Sequence, residues 1–184
     1  QPQRGDKFDL LQTVKRNAHY ALVQYLSKRS SDSAVVGKAL EELVEALDLP
    51  EIPLRIECFD ISNIQGQQMV ASMVVFEDGK PKKSEYRRFS IQSDVILDDT
   101  RAMNQVITRR MKRYLAERDL DVEELAIAGA AMPKFLYPPQ LVVVDGGAPQ
   151  VAAASRALSD LGLENIPLCG LAKRMEEIYL PDQG

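Results

Sequence analysis

The stretch LRIECFDISNIQGQQMVASMVVFEDGKPKKSEYRRFSI, residues 54–91, decides the fold. LRIECFDIS reads as a buried strand ending at Asp60, and Gln68–Glu77 (QMVASMVVFE) as a second strand, because β-branched and other apolar residues dominate both runs. Asp78-Gly79, directly after the second run, is a hairpin signal: both residue types tolerate the backbone that a tight turn demands. Lys82–Ile91 (KKSEYRRFSI) then reads as a third strand with one polar face.

Downstream the hydrophobic period changes. Thr100–Arg118 carries Met103, Val106, Ile107, Met111 and Tyr114 on one helical stripe, with Asp98-Asp99 just ahead of it. A short helix is expected over Val122–Ala128 and a loop over Gly129–Pro139. Leu141–Val144 is a short β-branched strand running into Asp145-Gly146-Gly147. A helix from Gln150 to Leu161 follows, with Gly162 as its stop, and Ile166–Leu171 and Glu177–Leu180 are short strands. Successive hairpins followed by βα units predict an α/β domain, a mixed sheet with helices on its faces. Upstream, Leu10, Leu11, Val14, Ala18, Ala21, Leu22, Tyr25 and Leu26 share one helical face over 6–29. A second helix is expected from Asp32 or Ser33 to Leu47, then a connector through Pro53. The expected organisation is a helical lead-in over 1–50 and the α/β domain over 51–184.

Apolar residues make up 45 % and charged residues 27 %, which suits a soluble globular chain. No apolar run approaches the ~20 residues needed to span a bilayer. The opening QPQRGDKFD has no apolar signal core. Cys58 and Cys169 sit in apolar stretches without metal-ligand spacing and read as buried free thiols, which points to the cytoplasm. The net charge of −4 hides an asymmetry, for between Lys80 and Arg118 eleven Lys/Arg oppose five acids. One account is a basic surface for phosphates on an acidic body; the other is a solvated helix face beside a charged hairpin.

Three acidic positions fall at the ends of expected elements: Asp60 after ECF, Asp145 after VVV, and Asp98-Asp99 before the basic helix. Acids at strand ends can project into the crevice where open α/β sheets place ligands. If the strands of Asp60 and Asp145 are neighbours, the two carboxylates repel unless a cation sits between them, and oxygen ligands favour Mg²⁺ or Mn²⁺. Each acid also has a plainer role open to it: Asp60 could cap a turn through Ser62, Asp145-Gly146 could be a turn, and Asp98 or Asp99 a helix N-cap. The strand with Tyr86-Arg87-Arg88 and the helix with Arg109-Arg110 suit phosphate contacts, or salt bridges between elements. The single histidine, His19, lies in the lead-in, so His-dependent nucleophilic catalysis has little support. DGGAPQ lacks both the dinucleotide fingerprint and the lysine of a P-loop.

CFDIS with QGQQMVASMVVFEDGKPKKSEYRRF, then DDTRAMNQVITRR, LVVVDGGAPQV and IPLCGLAKRMEEIYLP, resemble in order the carboxy-terminal nuclease domain of the UvrC family, the C subunit of bacterial UvrABC excinucleases. The resemblance covers essentially the whole chain. It implies an RNase H-like fold and a divalent-metal-dependent endodeoxyribonuclease of nucleotide excision repair. That activity is an incision 5′ to a lesion in double-stranded DNA, made with UvrB after UvrA has acted. It places metal ligands on Asp60 and Asp145 and a further catalytic carboxylate on Asp99. The basic strand and helix beside these acids are expected to hold flanking phosphates through Lys82, Lys83, Arg87, Arg88, Arg109 and Arg110. The alternative is a non-catalytic DNA-binding or assembly module of the same fold. Thr100 stands where the family usually has an aromatic, and Ala148-Pro149 where it often has Lys-Gly. No histidine follows EEIYLP, so a domain cut short before the family's terminal histidine and helix-hairpin-helix domain is expected.

Overall fold

In the computed structural model, β1 (Arg55–Ile64) and β2 (Gln68–Glu77) pair antiparallel, with Asp60 opposite Ser72. The structure describes residues 14, 15, 18, 34–64, 68–91, 98–120, 122–127, 129, 133, 135–172 and 177–181. β1 runs past Asp60, where the sequence pattern ended it, because Ile61 to Ile64 keep partners on β2. Asp78 and Gly79 both take positive φ, 49° and 66°, and turn the chain into β3 (Lys80–Pro81). The expected continuous strand over 82–91 does not form. Pro81 cannot donate to a ladder, a 3₁₀ turn at Lys83–Glu85 intervenes, and pairing with β2 resumes in β4 (Arg87–Ser90). Met73 there faces Arg87, where an unbroken ladder from Phe76↔Pro81 would have offered Ser84. The Arg87 guanidinium holds the turn, Nη1 donating to the carbonyls of Ser84 and Tyr86.

β5 (Leu141–Asp145) lies parallel to β1, β6 (Leu168–Ala172) parallel to β5, and β7 (Glu177–Tyr179) antiparallel to β6. The order is β3-β2-β1-β5-β6-β7, with β4 also on β2. Helices occupy residues 34–47 (α1), Asp99–Glu117 (α2), Val122–Ile127 (α3) and Ala148–Ser159 (α4). α4 starts two residues before the expected Gln150 because Pro149 is pre-organised for a first turn and lacks only an N–H that the turn would leave unmet. Gly162, at φ 67°, reverses the chain after it as expected. Of the first expected helix only 14, 15 and 18 are described, all helical; His19 lies outside the described residues.

Strand alternation divides the core. Phe59, Ala71, Met73, Val75, Val142 and Val144 face α2 and α4, whose Met103, Val106, Ile107, Val151 and Ala154 complete a buried cluster. On the second face α1 covers one end of the sheet: Leu47 packs on Leu141 and Cys169. Beside α1 an apolar cavity of about 380 Å³ is lined by Leu40, Leu43, Ile56, Cys58 and Val143. A Cβ on Gly79 would run into Val36 beside Leu40, so that turn also seats α1. Both cysteines are free, and burial pushes each thiol up to about 11, so both stay protonated and weakly reactive at neutral pH. Among the described residues no helix is long and apolar enough to cross a membrane.

Candidate active site

Register brings two of the three acids together. β1 and β5 pair from Ile56↔Leu141 to Phe59↔Val144, and one further step sets Asp60 level with Asp145. In-register neighbours on adjacent strands lie about 5 Å apart and share a face. Both alternate with buried residues, Phe59 and Val144, so both point to the second face. Arg88 and Asp60 are both opposite Ser72, so the row across the sheet reads Arg88, Ser72, Asp60, Asp145. Arg88 is exposed, and its side chain makes no hydrogen bond or ion pair among the described residues. On the same face α1 packs on Leu141 and Cys169. The sheet thus presents a basic residue and two acids in line, on one face.

Local structure explains why each acid stands where it does. Ser62 donates its hydroxyl to Asp60 Oδ2 at 3.1 Å, the contact a turn would use, yet here within a continuing strand. Beyond Asp145 the chain turns sharply through Gly146, at φ 150°, and Gly147, which caps α4. A Cβ on Gly146 would lie 2.6 Å from Gln150 Cγ. One on Gly170 would strike Val151 and lie 2.6 Å from the Gly146 carbonyl oxygen. The glycines therefore let β6 close against the turn that follows Asp145. Gly170→Ala is expected to destabilise the protein by roughly 1–3 kcal/mol through overpacking against backbone. At about 2–4 °C per kcal/mol for a chain of this size, a melting curve resolves it, and an unchanged midpoint would show that the turn can yield.

The third position divides between two residues. Asp98 is the N-cap of α2: its Oδ1 accepts from the Arg101 N–H at 2.7 Å and the Thr100 hydroxyl at 2.6 Å. Those bonds, the Thr100 hydroxyl first, hold its carboxyl below the usual range. Asp99, the first residue of the helix, is exposed. β4 runs parallel to β1, so the chain leaves it at the end toward which β1 and β5 run, and α2 carries it back to the start of β5. Asp98-Asp99 thus begin α2 after the chain leaves the sheet at that end. Among the described residues no three His, Cys, Asp or Glu side chains form a ready ligand set, so Asp99 is not gathered in with Asp60 and Asp145. The two acids part on substitution. Asp98→Asn keeps a good cap and is expected to leave the activity of the intact protein within about two-fold, whereas Asp99→Asn is expected to lower it roughly ten- to a hundred-fold. Equal rates for both variants would remove Asp99 from the site.

The basic residues do not behave as a set. Arg109 is exposed at the α2–β4 junction, with Nη1 donating to the Ser90 carbonyl at 2.7 Å and its guanidinium 5.7 Å from the centre of the Phe89 ring. Lys83 is exposed on the 3₁₀ turn, and Lys82 bridges to Glu77 at 2.8 Å on the surface. Arg87 is folded onto its own turn. Arg110 is a correction: it is wholly buried, and Nε and Nη2 bind both oxygens of buried Glu57 at 2.8 and 2.7 Å. Its position explains this, since Arg110 falls on the stripe of Met103, Val106, Ile107 and Met111 that turns inward. That spacing was visible in the sequence. So was the acid among apolar neighbours, Glu57, but nothing local said that the two would meet.

Two carboxylates on one face of adjacent strands are hard oxygen donors of like charge, and they suit Mg²⁺ or Mn²⁺ better than a soft metal. Residues 44–184 match the family described as the UvrC RNase H endonuclease domain. The chain is 57 % identical to the UvrABC system protein C of Streptomyces avermitilis over its whole length and 28 % of the relative's. It is 56 % identical to that of Thermobifida fusca, over 99 % of the chain and 29 % of the relative. It thus spans less than a third of these relatives. Among solved structures it is similar to Endonuclease V of Ciona intestinalis in complex with DNA, at 18 % identity and a TM-score of 0.43, over 84 % of this chain and 62 % of that one.

Proposed function

The chain belongs to the UvrC RNase H endonuclease domain family, and from that premise we propose that it cuts one DNA strand 5′ to a lesion by divalent-metal-assisted phosphodiester hydrolysis. Its setting is nucleotide excision repair in the cytoplasm, with UvrB as partner on the damaged duplex and UvrA acting earlier. The observation that carries this is the row of Arg88, Ser72, Asp60 and Asp145 on one face. Asp60 and Asp145 hold Mg²⁺ or Mn²⁺, which when bound supplies Lewis acidity at the reacting phosphate and makes water a stronger acid. Asp99, at the start of α2, orients water at the edge of the site. Arg88, two strands from Asp60 and about 10 Å away, holds a neighbouring phosphate of the same DNA strand. Arg109 and Lys83 extend that track, with Lys82 and Arg87 available once their weak surface contacts exchange. Contacts of this kind position a backbone without reading its sequence.

The decisive experiment uses the intact protein with UvrB, Mn²⁺ and a lesion-bearing duplex already cut on the 3′ side. Incision that is lost in Asp60→Ala or Asp145→Ala, with circular dichroism unchanged, is the expected result; undiminished incision by both variants would remove the proposal. A non-catalytic module of the same fold is the second reading, favoured by the lack of a three-ligand group among the described residues. Damage-dependent DNA binding by an intact protein that never cuts would decide for it.

A further inference from the structure

The ion pair inside the core bears on the site although it touches none of the acids. Arg110 of α2 and Glu57 of β1 are both wholly buried, joined by two parallel hydrogen bonds of 2.7 and 2.8 Å. Arg110 Nη2 also donates to the Tyr137 carbonyl at 3.1 Å, and the guanidinium sits 4.6 Å from the centre of the Phe135 ring. Nη1 is buried and has no hydrogen-bond partner among the described residues. On the far side of Glu57, Arg55 donates to its Oε1 and continues to Glu77 and Glu85. A buried pair of this kind is weak evidence for added stability, since well-packed apolar residues of similar volume do as well or better. An unmet N–H makes it a still poorer stabiliser. What an apolar pair cannot supply is direction.

Direction matters because the rest of the buried contact between α2 and the sheet is apolar, the exposed bond from Arg109 to the Ser90 carbonyl lying at its edge. Met103, Val106, Ile107 and Met111 pack on Phe59, Ala71, Met73 and Val75, and such contacts are non-directional. A planar guanidinium fork on a carboxylate has one good geometry. It fixes both the rotation of α2 and its position along its axis. Asp99 lies eleven residues before Arg110, about 16 Å of helix, and Asp60 three residues after Glu57, about 10 Å of strand. Both acids are reached by rigid elements that start from this one joint.

We propose that Glu57 and Arg110 are positioning residues: their bidentate pair sets the placement of Asp99 relative to Asp60 and Asp145, and so the geometry of the metal-binding site. The idea rests on the function proposed above and deepens it. A purely structural role is separated from positioning by replacing both partners together. Glu57→Leu with Arg110→Met removes the directional joint while keeping the volume apolar.

In the intact protein, the paired variant is expected to melt within a few degrees of the parent, yet to bind Mn²⁺ several-fold more weakly by calorimetry and to cut about ten-fold more slowly. Arg110→Lys keeps the charge and loses the fork, and is expected to fall between. Adding Asp99→Asn to the paired variant should weaken Mn²⁺ binding no further than Asp99→Asn does alone, because both act through the same carboxylate. Parent-like Mn²⁺ affinity in a folded paired variant overturns the inference, as do losses that multiply in the combined variant. If the paired variant does not fold, Arg110→Lys decides by the same two readouts. A parent protein that binds no Mn²⁺ sinks the metal-site function itself, and the positioning role with it.

Discussion

Asp60→Asn and Asp145→Asn, each made in the intact protein, are expected to lower incision by about a thousand-fold or more, equivalent to about 4 kcal/mol of transition-state stabilisation. Each change leaves size and shape almost untouched, so packing is not at issue. What is lost is one of two negative charges that the register of β1 and β5 sets side by side on one face. An ion that binds only the folded state raises the parent's midpoint, and the asparagine variants should gain little from Mn²⁺. If Mn²⁺ leaves the parent's melting unmoved and both variants cut at the parent rate, the two acids are ordinary surface residues.

Glu57→Ala is expected to be among the most damaging single substitutions for the fold, at roughly 3–5 kcal/mol. Its carboxylate accepts two hydrogen bonds from Arg110 and one from Arg55, and its side chain is wholly buried. Removing it leaves a guanidinium with no exposure facing apolar neighbours and a single carbonyl, that of Tyr137. Arg55 is better placed to adjust, since it also bridges to Glu77 and Glu85. For a chain of this size the loss corresponds to a fall of roughly 6–20 °C in melting temperature. Adding Arg110→Met to the alanine variant should recover much of it by removing the stranded charge. Without that recovery, the damage would belong to the cavity left by Glu57 and not to unpaired charge.

Period and turn chemistry made much of the fold legible. Apolar runs 54–62 and 68–77 with Asp78-Gly79 between hairpin arms, the stripe of Met103, Val106, Ile107 and Met111, and VVV before Asp145 all became the elements they suggested. Each is a local signal: it depends on which side chains recur every two or 3.6 residues, and the burial that rewards it lies on one face of one element. The break at Lys83–Glu85 escaped that logic, because a residue's tendency to extend does not tell which partner the next residue will find. The ordered motifs from CFDIS to EEIYLP identified the family, and with it the three acids worth testing.

Distance along the chain is where sequence alone ran out. Asp60 and Asp145 are 85 residues apart, and only the parallel pairing of β1 with β5 sets them level. The pairing of β4 with β2 put Arg88 into their row, and among the described residues Asp99 joins no three-ligand group. Arg109 and Arg110 are adjacent and chemically identical, yet one stays exposed over Phe89 while the other is buried on Glu57. A helix turns about 100° per residue, so which of two neighbours meets solvent depends on where the helix is pressed against the sheet. Residue types and their spacing therefore determined the elements and the family; the docking of those elements alone decided which charges line the candidate site and which brace the core.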